Sequence, residues 1–322
     1  MKILVTGVAG FIGMHCAKRL LARGDEIIGV DNLSNYYSVA LKRDRLGQLE
    51  RDKGFRFLHL DITSPEGLAR TFAETRLAAV LHLAAQPGVR YSLENPQAYV
   101  QANLVGFANV LEACRHRPPG HLVFASSSSV YGDNPRLPWS EAERVDHPIS
   151  LYAATKKSNE LMAHAYAQLY GLPMTGLRYF TVYGPWGRPD MSPMLFARAI
   201  MEGRPIQVFN NGDMRRDFTY IDDIVEGTLR VLDLPPSDRP PYRIYNIGNH
   251  QPVALTDYIA ALERCLGRKA ITEPRPMQPG DVKATYADTA ALAAAIGFEP
   301  STPLDDGLAR FAKWFREYYG FA

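Results

Sequence analysis

Residues 2–13 read Lys2-Ile3-Leu4-Val5-Thr6-Gly7-Val8-Ala9-Gly10-Phe11-Ile12-Gly13, and this stretch decides the fold. The apolar run Lys2–Thr6 has the length of a buried strand. It leads directly into three glycines spaced G-x-x-G-x-x-G, and an amphipathic pattern follows to about Arg23. Strand, glycine turn and helix in that order build an anion site. The glycines let the backbone approach a pyrophosphate, and the helix N-terminus faces its charge. A second strand, Glu26–Val30, ends in Asp31. An acid about 20 residues past such glycines is where an adenosine ribose is held. A carboxylate there accepts from both ribose hydroxyls and repels a 2′-phosphate, which favours NAD over NADP.

The alternation continues outward from this unit. Phe55–Leu60 reads as a third strand, ending in Asp61-Ile62, where an adenine can be read at a strand's edge. Pro65–Thr75 has a helical pattern. Ala79–Leu83 is a fourth strand with His82 as a core histidine, and the small residues after it leave room for a cofactor. Pro96–Arg117 is a long helix that turns Tyr99, Leu104, Phe107, Val110 and Leu111 inward. His121–Ala125 is a fifth strand, leading into Ser126-Ser127-Ser128-Ser129-Val130-Tyr131-Gly132, and Met174–Tyr179 is a sixth. Strands alternating with helices predict a doubly wound parallel α/β sheet. Ligands of such sheets sit beyond the carboxyl ends of the strands, where every motif above falls.

Between the last two strands lies Ser150-Leu151-Tyr152-Ala153-Ala154-Thr155-Lys156. Tyr152 and Lys156 are four apart, so a helix places them on one face. Ser150 is a good N-cap. Leu151, Ala154, Leu161, Met162, Ala165 and Leu169 supply an apolar stripe, and Gly171 with Pro173 gives the stop. A phenol with a pKa near ~10 is a poor base at neutral pH. An ammonium one turn away lowers that pKa and makes the pair a proton-transfer unit.

Composition sets the class. The chain has 322 residues, 46% hydrophobic and 22% charged, as expected of a soluble globular enzyme. A net charge of +2 is too small to call for nucleic acid or an anionic membrane, so an anionic ligand must be met by local arginines. Cys16, Cys114 and Cys265 are far apart, with no metal-ligand spacing, and read as free thiols of a reducing, cytoplasmic compartment. A strand that opens at Lys2 leaves no room for a secretory signal, and no apolar run is long enough to span a bilayer.

The motifs together resemble the extended short-chain dehydrogenase/reductases, and among them the nucleotide-sugar epimerases. They are TGVAGFIG at 6–13, DNL at 31–33, HLAAQPGVRYS at 82–92, SSSSVYG at 126–132, YAATK at 152–156 and RYFTVYGP at 178–185. GRPDM at 187–191, RRDFTYIDDIV at 215–225 and MQPGDVKATYAD at 277–288 extend the match across nearly the whole chain. The resemblance implies tightly held NAD and a catalytic set of Ser127, Tyr152 and Lys156, with the Ser127 hydroxyl on the 4-oxygen of the sugar. It places NAD against Gly7, Gly10, Phe11, Ile12 and Gly13, then Asp31, Asn32, Asp61 and Ile62. Leu83, Ala84, Ala85, Gln86, Asn103, Tyr152, Lys156 and Tyr179 complete that set. It implies two interleaved parts. Residues 1–180 form the Rossmann domain, with a helix and strand returning near 217–247, and 181–322 form a smaller α/β domain for the nucleotide sugar. Arg216 matches a diphosphate contact and Asp281 a ribose contact, while Pro87, Arg90 and Arg188 border the substrate. The Pro96–Arg117 and Tyr152–Tyr170 helices match the face that family members pair in a homodimer.

Chemistry narrows the reaction. Dehydratases of this family carry an acid between the catalytic hydroxyl and the VYG element, because elimination needs an acid and a base. Uronate decarboxylases usually have Glu there. Here those positions are Ser128 and Ser129, which can do neither. Thr181 in RYFT, GRPDM, MQPGDV and the segment at 31–46 resemble the UDP-glucuronate 4-epimerases. Ser128, Ser129, Thr181 and Arg188 are the groups expected around a C6 carboxylate. A UDP-hexose 4-epimerase is the alternative, then a uronate decarboxylase. A dinucleotide sensor without turnover is disfavoured, because such proteins commonly lose the Tyr–Lys pair.

Overall fold

The computed structural model describes every residue except Thr75, Pro279, Gly280 and Ala322. Thr75, the expected end of the Pro65 helix, and two residues of MQPGDV therefore lie outside the described residues.

Seven strands form one sheet: β1 Lys2–Thr6, β2 Glu26–Asp31, β3 Phe55–His59, β4 Ala79–His82, β5 His121–Ser127, β6 Met174–Tyr179, and Tyr242–Ile247. Three short strands intervene before the seventh: β7 Thr181–Tyr183, β8 Pro205–Phe209 and β9 Arg215–Tyr220. The seventh is therefore β10, and β11 Pro252–Ala254 and β12 Ile271–Arg275 follow. The sheet order is β10-β6-β5-β4-β1-β2-β3, and every pairing in it is parallel. β1, β4 and β6 are buried almost throughout because helices cover both faces. Polar residues cluster at carboxyl ends, as Thr6, Asp31, His82, Ser126 and Ser127. The chain reverses direction across the sheet between β1 and β4, which opens a crevice above their ends.

Two smaller sheets, β11-β9-β7 and β12-β8, stand beside the carboxyl edge. The Ile221–Leu232 helix and β10 return to the main sheet between them, as the sequence predicts.

Two helices differ from expectation. The Pro96 helix runs to His116 but passes through a π segment, Val100–Val105. In the Leu151–Tyr170 helix, Ser150 caps as predicted by accepting from the Ala153 N–H, and Gly171 closes it in the left-handed region. The apolar stripe, however, is not its core face. Leu161 and Leu169 are 59% and 70% exposed. The buried face is Ala153, Thr155, Lys156, Asn159, Glu160, Ala163 and Ala167. Small and hydrogen-bonded side chains let this helix lie close against the sheet end, where reactive groups are needed.

Candidate active site

A cavity of about 630 Å³ fills the crevice. One end is built from backbone. Gly7 stands at φ +72, and a Cβ there would lie 2.7 Å from the Ala84 N. A Cβ on Gly13 would lie 2.1 Å from the Gly7 O. Only glycine lets the turn, the Phe11–Ala22 helix and the end of β4 approach this closely. Asp31 is fixed beside them, accepting from Ala9 N–H at 3.1 Å on Oδ2 and from Leu33 N–H at 2.8 Å on Oδ1. Burial pushes the Asp31 carboxyl up, and these donors with the Lys42 and Arg45 charges oppose that. Asp61 accepts from Asn32 Nδ2 at 2.7 Å and from both Thr63 donors, at 2.8 Å from N–H and 2.7 Å from the hydroxyl. Burial opposes ionisation there too, yet the three donors hold the Asp61 carboxyl below its usual range. The glycine turn, the Asp31 and Asp61 carboxylates and the helix N-terminus fit a dinucleotide.

The other end is built from side chains. Ser127 ends β5, Tyr152 and Lys156 come from the Leu151–Tyr170 helix, and Thr181 opens β7; all line the cavity with Ser128, Ser129, Tyr179 and Arg188. Ser127 Oγ donates to Ser129 Oγ at 3.1 Å and accepts from Ser129 N–H at 3.2 Å. Burial raises the Tyr152 phenol above its ordinary value, while a Ser127 hydrogen bond and the Arg188 charge pull it down. This corrects the expectation that the Lys156 ammonium lowers it: the shift is upward, burial is its largest cause, and the opposing charge is that of Arg188. Lys156 Nζ instead donates to the Ala125 carbonyl at 2.9 Å. Burial lowers its pKa to about 8, and Glu160 one turn on raises it. His82 is the expected core residue, bonded to the Thr6 hydroxyl at 2.8 Å; burial and the nearby Lys156 lower its pKa to about 3.

Not every expected contact lines the cavity. Asn103, on the π segment, is buried behind it. It accepts from Gln86 N–H at 2.7 Å and donates to Gln86 O at 3.1 Å and Thr155 Oγ1 at 3.0 Å. These bonds tie the π segment to the Gln86 backbone after β4 and to the Leu151–Tyr170 helix. Arg90, Arg216 and Asp281 also lie outside the lining and form a separate group beyond it. Arg90 pairs with Asp281 at 3.3 Å and lies 5.0 Å over the Phe209 ring. Burial lowers the Arg216 pKa, and the Asp281 charge opposes it.

Comparison with known proteins places this geometry. Residues 3–248 match the model of the NAD dependent epimerase/dehydratase family. The chain belongs to that family. A probable UDP-glucuronate 4-epimerase of Rhizobium meliloti is 47% identical, with 99% of this chain and 98% of the relative covered. The solved UDP-glucuronic acid 4-epimerase of Bacillus cereus, with UDP-glucuronic acid and NAD, is 35% identical with a TM-score of 0.90, covering 99% of this chain and 100% of that one. A UDP-glucose 4-epimerase of Thermotoga maritima with UDP-glucose is 31% identical at a TM-score of 0.89, covering 99% and 100%.

Within this family frame, several residues emerge that sequence reasoning did not single out. Tyr36, Tyr37 and Lys42 line the cavity. Lys42 Nζ donates to Ser34 O at 2.7 Å. Arg45 is wholly buried without a carboxylate partner among the described residues, donating to Ala9 O at 3.1 Å, Trp186 O at 2.7 Å and Gly187 O at 3.0 Å. It ties the glycine turn to the segment carrying Arg188. Glu160 accepts from Ser126 Oγ at 2.6 Å and from two nitrogens of Arg178 at 2.8 Å, fixing the end of β5 beside Ser127. The segment at 31–46 signalled this region only through its resemblance to relatives.

Proposed function

We propose that this chain interconverts UDP-glucuronate and UDP-galacturonate at C4. One observation carries the reading. The acids that line the cavity, Asp31 and Asp61, both stand at the glycine end, whereas the Tyr152 end offers Ser127, Ser128, Ser129, Thr181 and the cation Arg188. Hydroxyls and a guanidinium suit a uronate carboxylate. The absence of an acid among those described lining residues leaves dehydration without its proton donor.

Bound NAD supplies a reversible hydride acceptor for C4. Gly7, Gly10 and Gly13 with the helix N-terminus are placed for its pyrophosphate, Asp31 for its ribose, and Asp61-Ile62 for its adenine. Tyr152 takes the O4 proton as C4 is oxidised and returns it once the keto sugar has turned its other face. Ser127 donates to the 4-oxygen and orients it. Lys156, held by Ala125 O one helical turn from Tyr152, supplies a cation on the same helix face, while the Ser127 hydrogen bond and the Arg188 charge offset the burial that disfavours phenolate. Arg216, Arg90 and Asp281 take the nucleotide diphosphate and ribose. Residues 1–180 serve the cofactor and 181–322 the sugar nucleotide.

The exposed Leu161 and Leu169, with Val105 on the neighbouring helix, support a homodimer through these helices, and a monomer in sedimentation at micromolar concentration counts against it. No described helix is long and apolar enough to cross a membrane. The free Cys16, Cys114 and Cys265 support a cytoplasmic setting.

NMR of the products tests the reaction. Protein purified without added cofactor converts UDP-glucuronate to UDP-galacturonate with little UDP-pentose. Mostly UDP-pentose, or preference for UDP-glucose, overturns the reading.

A further inference from the structure

Arg188 is the arginine that lines the sugar end, yet its guanidinium is already engaged. Nε donates to Asp190 Oδ1 at 3.1 Å and Nη2 to Asp190 Oδ2 at 2.5 Å. The same Oδ2 accepts from the Tyr36 hydroxyl at 3.0 Å. Tyr36 comes from the β2 side of the crevice and lines the cavity with Arg188, while Asp190 stands behind them. The Tyr36 ring rests 4.7 Å from that of Tyr91, which holds its hydroxyl in place. Burial opposes both charges of the pair. Even so, Asp190 holds Arg188 protonated, and Arg188 with Tyr36 holds the Asp190 carboxyl below its usual range.

A guanidinium has five N–H groups, and Asp190 takes two of them. Arg188 can therefore meet a second carboxylate without leaving the first. How strongly it pulls depends on how much of its charge Asp190 has already neutralised. Tyr36 adjusts that in turn, because a hydrogen bond to Oδ2 draws charge from the carboxylate. An epimerase needs such moderation. The hydroxyls of Ser128, Ser129 and Thr181 can exchange partners as the sugar turns, but an uncompensated guanidinium holds a carboxylate in one bidentate pose.

We propose that Asp190, adjusted by Tyr36, is a positioning residue that sets the grip of Arg188 on the substrate carboxylate, strong enough to select a uronate and weak enough to let it turn. The proposal rests on the uronate reading above. It predicts opposite effects from two neighbouring substitutions. Asp190→Asn removes the competing charge and frees Arg188. Tyr36→Phe leaves Asp190 with its full charge and withdraws Arg188 further.

Binding is read by calorimetry on NAD-loaded protein carrying Tyr152→Phe, so that turnover does not intervene. Adding Asp190→Asn tightens UDP-glucuronate about fivefold, and adding Tyr36→Phe weakens it about twofold. UDP-glucose, which has no C6 charge, binds equally to all three proteins. With Tyr152 restored, Asp190→Asn lowers KM and kcat together for UDP-glucuronate. Equal losses for both sugars in both variants indicate a structural role and overturn the proposal. So does a shift of the same sign in the two variants. A Tyr152→Phe parent that binds UDP-glucose more tightly than UDP-glucuronate overturns the uronate reading instead.

Discussion

The two ends of the cavity are built by different means. At the glycine end the polar contacts come from backbone or are locked to it: both Asp31 oxygens are taken by backbone N–H groups, and Asp61 is held by Asn32 and Thr63. At the sugar end the polar atoms are mostly side-chain hydroxyls, with Lys156 and one arginine that shares its charge with Asp190. The first arrangement suits a ligand that stays through many turnovers. The second suits one that must let go of its contacts, turn and make them again. Rigidity in one half and exchangeable bonds in the other therefore follow from one reaction cycle, since hydride returned to the same sugar gives NAD no reason to leave.

Removing the proton acceptor tests the sugar end most severely. Tyr152→Phe is expected to lower kcat at least ~100-fold, the lower end for a general base. Bound NAD should persist, because the glycine end is untouched. Near-normal turnover means that another group takes the O4 proton. Loss of NAD together with activity would show that the two ends are not separable.

The glycine end breaks through sterics. In Gly13→Ala the new Cβ meets the Gly7 carbonyl at 2.1 Å, and backbone cannot yield cheaply. Overpacking of this kind costs about 1–3 kcal/mol, so NAD retention should fall roughly 5- to 150-fold. The check is NAD content after gel filtration, with activity recovered by added NAD. Full retention means that the turn is wider in solution than its geometry requires.

A pH profile sharpens the contrast. Lys156 acts as a cation, and burial lowers its pKa to about 8. It therefore keeps its charge below that value and loses it as the pH rises. Turnover should decline through about pH 8, by tenfold for each further unit where lysine alone governs. A rate that holds level to pH 10 would show that the charge beneath Tyr152 comes from elsewhere, Arg188 being the nearest candidate.

The two halves were also unequally legible in the sequence. Strand, glycines, helix and acid at the first end are contiguous, and each is dictated by backbone geometry, so 2–31 could be read directly. The sugar end is assembled from residues 36, 127–129, 152, 181, 188 and 190, brought together only by the sheet. Tyr152 and Lys156 were found because a helix repeats every turn. Arg45 was not, because its partners lie far along the chain, and neither was Asp190, whose bond to the distant Tyr36 no local pattern signals. The Leu161–Leu169 stripe misled for a related reason. Periodicity shows that a helix has an apolar face but not what covers it, and here Ala163, Ala167 and buried polar groups face the core. Asn103 lies one layer behind the cavity lining, bonded to Gln86 and Thr155, a placement that no spacing in the sequence signals.

The smallest expected effect concerns what the sugar end prevents. Oxidation at C4 turns a uronate into a β-keto acid, which loses CO2 when the C5–C6 bond stands perpendicular to the carbonyl plane. In that alignment the breaking bond overlaps the π system and feeds an enolate. Hydrogen bonds to the carboxylate oppose this twice, by keeping the bond near the plane and by holding charge on the oxygens. Thr181 and Ser128 line the cavity where they can do so, and neither carries charge that would repel the carboxylate. Thr181→Ala removes one hydrogen bond from an uncharged donor, with a net worth of about 0.5–1.5 kcal/mol, so the balance of epimerisation against decarboxylation should shift roughly two- to twelvefold. The measurement is the ratio of UDP-pentose to UDP-galacturonate by NMR, alongside the total rate. If the hydroxyl only helps to bind the sugar, KM rises and the ratio stays. If it steers the keto intermediate, the ratio rises even where the rate barely changes. The same substitution should leave NAD content untouched, because Thr181 opens β7 on the sugar side of the crevice, away from the backbone cradle at Gly7–Gly13.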